Sequence, residues 1–249
     1  MKKKVKDINA QVTIFIILVV IIISIIIFYV YLLGKKEERV FDFEKINPEI
    51  QPIYDYINIC IKEIGEDAIE YVSLRGGYYT IPELSLDLEV PYYLYLGNDY
   101  SPTTEEIEEQ ISLYVENNLN FCSENSENFA DYKISFDNPN VKTIIEDNEV
   151  NFKVKYSVKL SKNNKNYVIE DFESNIDVRL GVILNTINKI NEYKNEICIN
   201  CIYNLTIKND LYIDMIEYDD SLIYVVRDEN SKINDKYFIF VFANKYREF

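Results

Sequence analysis

Four cysteines are the residues whose type and spacing come nearest to chemistry: Cys60, Cys122 and the pair in Cys198-Ile-Asn-Cys201. An even count fits a disulfide framework in an oxidising compartment, and four cysteines allow three connectivities. The favoured pairing joins Cys60 to Cys122 and Cys198 to Cys201. On the chain-entropy model the long first loop contributes about 4 kcal/mol and the short CxxC loop about 2. Two other fates stay open, a CxxC redox centre and a four-thiolate metal site. A redox thiol needs a depressed pKa, as at a helix N-terminus. Here Cys198 follows a long helical pattern and stands two residues after Glu196, which disfavours that fate. One CxxC with two scattered cysteines is a weak zinc pattern.

Carboxylates give the second set of candidates. Glu105, Glu106, Glu108 and Glu109 lie together, as do Asp219 and Asp220, and paired carboxylates are the machinery of glycoside hydrolysis. Acids that open a helix also favour its dipole and face water, and Glu105 to Glu109 fit that bland role. The chain has no histidine, which removes the Ser-His-Asp triad and the commonest general base and zinc ligand. No glycine-rich phosphate loop is present; Gly76-Gly77 follows a helix pattern and reads as its stop. No cofactor is implied. One sequon, Asn204-Leu-Thr206, makes Asn204 a candidate glycan acceptor on an external domain.

Residues 1–39 hold seven Lys or Arg and three Asp or Glu, leaving 19 basic and 39 acidic residues and a net charge of −20 on the rest. That field repels nucleic-acid phosphates and anionic lipid heads, so nucleic acid is not an expected partner. Twenty-two tyrosines suit either a contact surface or strands and core.

The elements that must position these groups follow from periodicity. Asn47-Pro48-Glu49 reads as a helix start, and Ile50, Ile53, Ile57, Ile61, Ile64, Ala68 and Val72 recur at helical spacing up to Gly76. Strand-like segments at Tyr78 to Ile81 and Leu84 to Leu96 are broken by Pro82 and Pro91, which makes them edge strands or loops. Thr103-Thr-Glu-Glu106 is a capping-box pattern ahead of a second helix that closes near Cys122. From Val150 to Ser161 the period becomes two, a strand with one wet face, and Asn163-Asn164 turns it into a return strand near Tyr167 to Ile176. A third helix is expected from Leu180 to Ile197, then strands at Leu211 to Glu217, Leu222 to Val226 and Tyr237 to Phe242. The sum is α+β, with about three helices and antiparallel sheets. Residues 47–249 form one acidic domain, or two if a boundary falls near Asp177.

Ahead of that domain, Val12 to Leu33 holds 22 residues without a charge, 18 of them Ile, Val, Leu or Phe. At 1.5 Å per residue the run spans a hydrocarbon core, and its side chains favour insertion by about 5 to 10 kcal/mol. The expected order is a basic leader at 1–11, a transmembrane helix at 12–33, a stalk at 34–46 and then the domain. Lys2, Lys3, Lys4 and Lys6 precede the helix, against Lys35, Lys36 and Arg39 after it. The positive-inside rule then puts the N-terminus in the cytoplasm and the domain outside, with Tyr29 and Tyr31 at the far interface. Membrane lipid is thus an expected partner of Val12 to Leu33, and protein partners or self-assembly at the surface are expected of the domain.

The junction Asp7-Ile-Asn-Ala-Gln-Val-Thr-Ile-Phe15 resembles the class III signal peptide of archaeal type IV pilin-like proteins. The resemblance implies cleavage after Ala10, leaving Gln11 as the mature N-terminus. Asn9 stands where a basic residue is usual, Ala10 replaces glycine, and Phe15 occupies the place of the assembly glutamate. The longer chain resembles a group of uncharacterised, single-pass archaeal membrane proteins through Leu74-Arg-Gly-Gly-Tyr78, the CxxC and Phe242-Ala-Asn-Lys-Tyr246. That implies an archaeal envelope setting. The expected function is a non-catalytic scaffold, adhesion or pilin-like protein; a carboxylate hydrolase or an accessory subunit of a membrane complex is the alternative.

Overall fold

The computed structural model describes residues 18, 21–24, 47–124, 129–194 and 196–247. The leader, Ala10, Gln11, most of the Val12 to Leu33 run and the 34–46 stalk lie outside these. Leu18 and Ile21 to Ser24 are helical. Among the described residues no helix is long and apolar enough to cross a membrane.

Residues 49–249 form one compact α+β unit. Helix α1 (Gln51–Leu74) buries Ile53, Ile57, Ile61, Ile64, Ala68 and Val72, the stripe its spacing requires. Its end is a Schellman turn. Gly76 and Gly77 have positive φ, and their amides donate to the Ser73 and Val72 carbonyls. Helix α2 (Thr104–Asn118) opens on a closed capping box, in which Thr103 N donates to Glu106 at 2.7 Å and Glu106 N to the Thr103 hydroxyl at 3.2 Å. The short helix α3 (Asn120–Glu124) follows at once.

Two sheets flank these helices. The edge pair β1 (Tyr92–Tyr95) and β2 (Asn98–Asp99) belongs to the second sheet. The first is built on β5 (Val150–Lys162), whose buried Val150, Phe152, Val154, Tyr156, Val158 and Leu160 alternate with wetter positions. On one side β5 pairs with β6 (Lys165–Ile176) through a turn in which Asn163 and Asn164 both have positive φ. Its other side is shared by β3 (Lys133–Phe136) and β4 (Asn140–Ile145). Then come α4 (Leu180–Asn191), α5 (Ile199–Asn209), β7 (Tyr212–Tyr218), β8 (Ser221–Ile233) and β9 (Lys236–Lys245). The second sheet runs β2-β1-β9-β8-β7. Helix α1 packs on β6 of one sheet and on β8 and β9 of the other, so its apolar stripe is where both sheets meet.

Several expectations need correction. Among the described residues the domain has five helices rather than about three, because the second expected helix breaks into α2 and α3, and the third ends as α4 at Asn191 before α5 starts at Ile199. Glu192, Tyr193 and Lys194 are exposed, and with nothing to pack in that stretch the chain turns. Of the two segments expected as edge strands or loops, Tyr78 to Ile81 is a loop, and Leu84 to Leu96 is a loop leading into the strand Tyr92–Tyr95. The sheets are not wholly antiparallel, since β1 runs parallel to β9. Strands β3 and β4 were not expected at all.

Candidate functional site

The new break places the CxxC differently from the sequence reading. Cys198 is the N-cap of α5, an 11-residue helix, and Cys201 sits in its first turn. The two are joined as a disulfide with Cα atoms 5.2 Å apart. The other bridge joins Cys60 of α1 to Cys122 of α3, 62 residues apart in sequence, with Cα atoms 5.9 Å apart. Cys122 is fully buried. Both Cys198 and Cys201 are half-buried at the surface. No cysteine is free, so a four-thiolate metal site has no ligands left. Among the described residues no group of three or more acids or cysteines is placed to hold a metal ion.

Helix α5 is unusual in how little it buries. Only Ile202 is buried along its length, while Ile199, Tyr203 and Ile207, four residues apart on one face, are 56%, 63% and 64% exposed. These side chains, with Ile202 of the same helix and Ile213 and Met215 of β7, line an open groove of about 450 Å³. The CxxC adjoins this groove in sequence, since Ile199 and Ile202 each follow a cysteine directly. Strand β7 is the edge of its sheet and pairs only with β8. Asn204, the sequon residue, is exposed on the same helix, and the Thr206 hydroxyl donates to the Tyr203 carbonyl at 2.7 Å.

What holds so poorly packed a helix is its C-terminal end. Arg179, just before α4, donates from Nη1 to the Asn209 carbonyl at 3.2 Å and from Nη2 to the Asp210 carbonyl at 3.0 Å. A cation at these last carbonyls complements the helix dipole. The same guanidinium grips Asp228 of β8 through Nε at 3.0 Å and Nη2 at 2.6 Å. Asp228 is fully buried where β8 bulges, and it also accepts from the Ser231 hydroxyl and the Asn230 amide. Burial pushes its carboxyl up, but the bonds from Arg179, Ser231 and Asn230 outweigh that and hold it below its ordinary value. Asn209 Nδ2 adds a bond to the Thr186 hydroxyl of α4 at 2.7 Å.

The acidic candidates do other work. Glu106 closes the capping box. Glu108, Ser112 and Glu116, at four-residue spacing on α2, accept from the Ile145, Thr143 and Val141 amides of β4 at 2.7, 3.0 and 2.7 Å. Four helical residues rise about 6 Å and two strand residues about 6.6 Å, so the periods match and α2 acts as a side-chain strand along the β4 edge. Asp219 and Asp220, both with positive φ, form the β7–β8 hairpin turn. The tyrosines divide. Tyr93, Tyr156 and Tyr224 are in the core, where burial pushes the Tyr156 phenol up to about 12, while Tyr71, Tyr79 and Tyr114 form a half-buried cluster between α1 and α2.

Sequence reasoning missed the α5 groove because it read α4 and α5 as one rod. The signal was present: between Ile190 and Ile197 no aliphatic residue continues the stripe. The Arg179–Asp228 pair spans 49 residues and left no local trace. No family model matches this chain, and no curated protein or solved structure shows significant similarity to it.

Proposed function

We propose that this is a membrane-anchored envelope protein of the single-pass archaeal type, with Val12 to Leu33 in the bilayer and the acidic domain outside, serving as a surface scaffold, adhesion or pilin-like module. The observation that carries the reading is the exposure of Leu18, Ile21, Ile22 and Ile23, 47 to 54% each, on a helical segment inside a 22-residue run without a charge. Consecutive large aliphatics around a helix need an apolar environment on every side, which a bilayer provides. Two disulfides support an oxidising compartment for the domain.

Hydrolysis by paired carboxylates is the weaker reading, since Glu106, Glu108, Asp219 and Asp220 hold caps, edges and turns. A permanent anchor is preferred to a filament core because Phe15 replaces the glutamate that pilins use in assembly. Protease added to intact cells should remove the domain, and membrane-extracted protein should retain residues 1–10. Full protection of the domain overturns the orientation. A mature chain starting at Gln11 within purified filaments replaces the anchor by a pilin.

A further inference from the structure

We infer that Cys198–Cys201 is a thiol–disulfide exchange centre, and that the groove between α5 and β7 docks the extended, cysteine-bearing segment of a partner protein. The inference rests on the external placement above only for an oxidising supply; the chemistry at α5 is testable without it.

Three observations converge. First, the pair occupies the N-cap and first turn of an 11-residue helix, and Cys198 makes no side-chain cap bond. The amides of the first turn are therefore available to a Cys198 thiolate, which they and the helix dipole stabilise. Glu196 precedes the pair, but it is exposed, and water screens its charge. Second, both cysteines are half-buried and reach the surface, whereas the other bridge joins a half-buried Cys60 to a fully buried Cys122. A bridge closing so short a loop contributes about 2 kcal/mol or less, half of what the Cys60–Cys122 bridge does, so less stability is lost when it opens. Third, Ile199 and Ile202, which line the groove, each directly follow one of the cysteines, and the groove is largely apolar, with the β7 edge along it. An extended segment laid there gains main-chain bonds to β7 and side-chain burial against Ile199, Tyr203 and Ile207. Asp210 and Asp214 at the groove rim exclude acidic segments in favour of neutral or basic ones.

The exchange balances as follows. A partner thiolate attacks Cys198 Sγ, forming a mixed disulfide; the Cys198–Cys201 bond breaks and Cys201 leaves as a thiolate that takes a proton. A second partner thiolate attacks the partner's sulfur in that bond, closing a disulfide in the partner and expelling Cys198, which leaves readily as a stabilised thiolate. The partner loses two electrons and two protons; the CxxC gains both electrons and the proton on Cys201, and the second proton goes to water while Cys198 stays a thiolate. A low-molecular-weight disulfide, reduced to two thiols, resets the pair. A partner with one thiol reaches only the mixed disulfide, which Cys201 reverses by attacking Cys198 Sγ and expelling the partner thiolate.

The test uses the oxidised full chain in detergent micelles and two synthetic decapeptides, each with one cysteine, one apolar and one carrying two glutamates. Intact mass and peptide mapping follow the mixed disulfide. The apolar peptide should couple to Cys198 in the folded chain on the order of tenfold faster than in the urea-unfolded chain, because docking raises the local thiol concentration. The acidic peptide should show no such gain. Tyr203→Asp should bring the ratio of apolar-peptide to glutathione rates close to unity. In Cys201→Ala, where Cys198 is a free thiol, the apolar peptide supplied as its mixed disulfide with glutathione should transfer to Cys198 with release of glutathione and accumulate there, and the wild-type rates keep the test decisive if that variant fails to fold. Slower coupling in the folded than in the unfolded chain, or adducts that ignore peptide sequence, overturns the inference and makes the bridge a structural staple. Exchange that succeeds in a chain whose domain proves protected in cells would leave the site standing and remove only its external placement.

Discussion

Replacing Arg179 by Met tests the account of how α5 is held. The substitution keeps the aliphatic stem and removes the guanidinium, leaving Asp228 fully buried with only the Ser231 hydroxyl and Asn230 amide. Removing one partner of a buried pair costs 3 to 5 kcal/mol; two surviving bonds put this case at about 3. A domain with a urea slope of about 2 to 3 kcal/mol per molar should then lose about 1 to 1.5 M in its midpoint, measured with both disulfides intact. Arg179→Met with Asp228→Leu should recover most of that, to within about 1 to 2 kcal/mol of the parent, because no unpaired charge remains. The pH dependence has a definite sign. In the parent the folded carboxyl sits below its unfolded value, so its contribution is present above the ordinary Asp range and is lost as pH falls through the folded value. In Arg179→Met the lowering partner is gone and burial remains, so the deficit should be largest near neutrality and shrink as Asp228 protonates. A loss below about 1 kcal/mol at pH 7, or two single losses that simply add in the double variant, refutes the reasoning.

Other expectations follow from the same contacts. Removing Cys60 and Cys122 together, each to Ala, frees a 62-residue loop and should lower stability by about 4 kcal/mol, against about 2 or less for Cys198 and Cys201, as read by urea unfolding. Glu116→Ala strips the acceptor of the Val141 amide and should cost about 1 to 2 kcal/mol, whereas Glu116→Gln, which keeps a side-chain oxygen, should cost less than half of that; equal losses would show that the bond carries no weight. Gly181→Ala would set a Cβ 2.5 Å from the Glu146 carbonyl oxygen, where α4 meets the β4–β5 turn, and should cost about 1 to 3 kcal/mol in thermal melts.

Local chemistry was legible in the sequence wherever one element specified itself. Thr103 and Glu106 announced the start of α2, Gly76 and Gly77 the end of α1, and the strict alternation from Val150 to Leu160 the central strand, because caps and periods are written in consecutive residues. Strands β3 and β4 were illegible for the opposite reason. Lys133–Phe136 and Asn140–Ile145 are short and partly polar, and they are strands only because β5 offers them an edge. The parallel pairing of β1 with β9 joins residues about 150 apart and leaves no local mark. The placement of the CxxC late in one helix does not hold: the aliphatic stripe from Leu180 to Ile197 has a gap after Ile190, and the exposed residues in it end α4 and leave Cys198 as the N-cap of a new helix.

The treatment of sheet edges gives that new helix its meaning. An unpaired strand edge invites association, and folded proteins shorten, cover or charge their edges. In the first sheet, the amides of Val141, Thr143 and Ile145 on β4 are taken up by three α2 side chains. In the second, the β2 edge is only two residues long. The seven-residue β7 at the opposite edge receives neither device; Asp214 and Glu217 alone interrupt its apolar run, and beside it lies a helix whose outward face is Ile199, Tyr203 and Ile207. Two long strands, β6 and β7, keep an edge without a strand partner among the described residues, and β7 is the one that lies against the apolar α5 groove whose residues follow the CxxC. Amide hydrogen exchange makes the point measurable. Saturating apolar peptide should slow exchange in 212–218 and leave 140–145 unchanged, since β4 has no amide edge to offer; slowing spread equally over both strands would mean that the peptide tightens the whole domain rather than docking on β7.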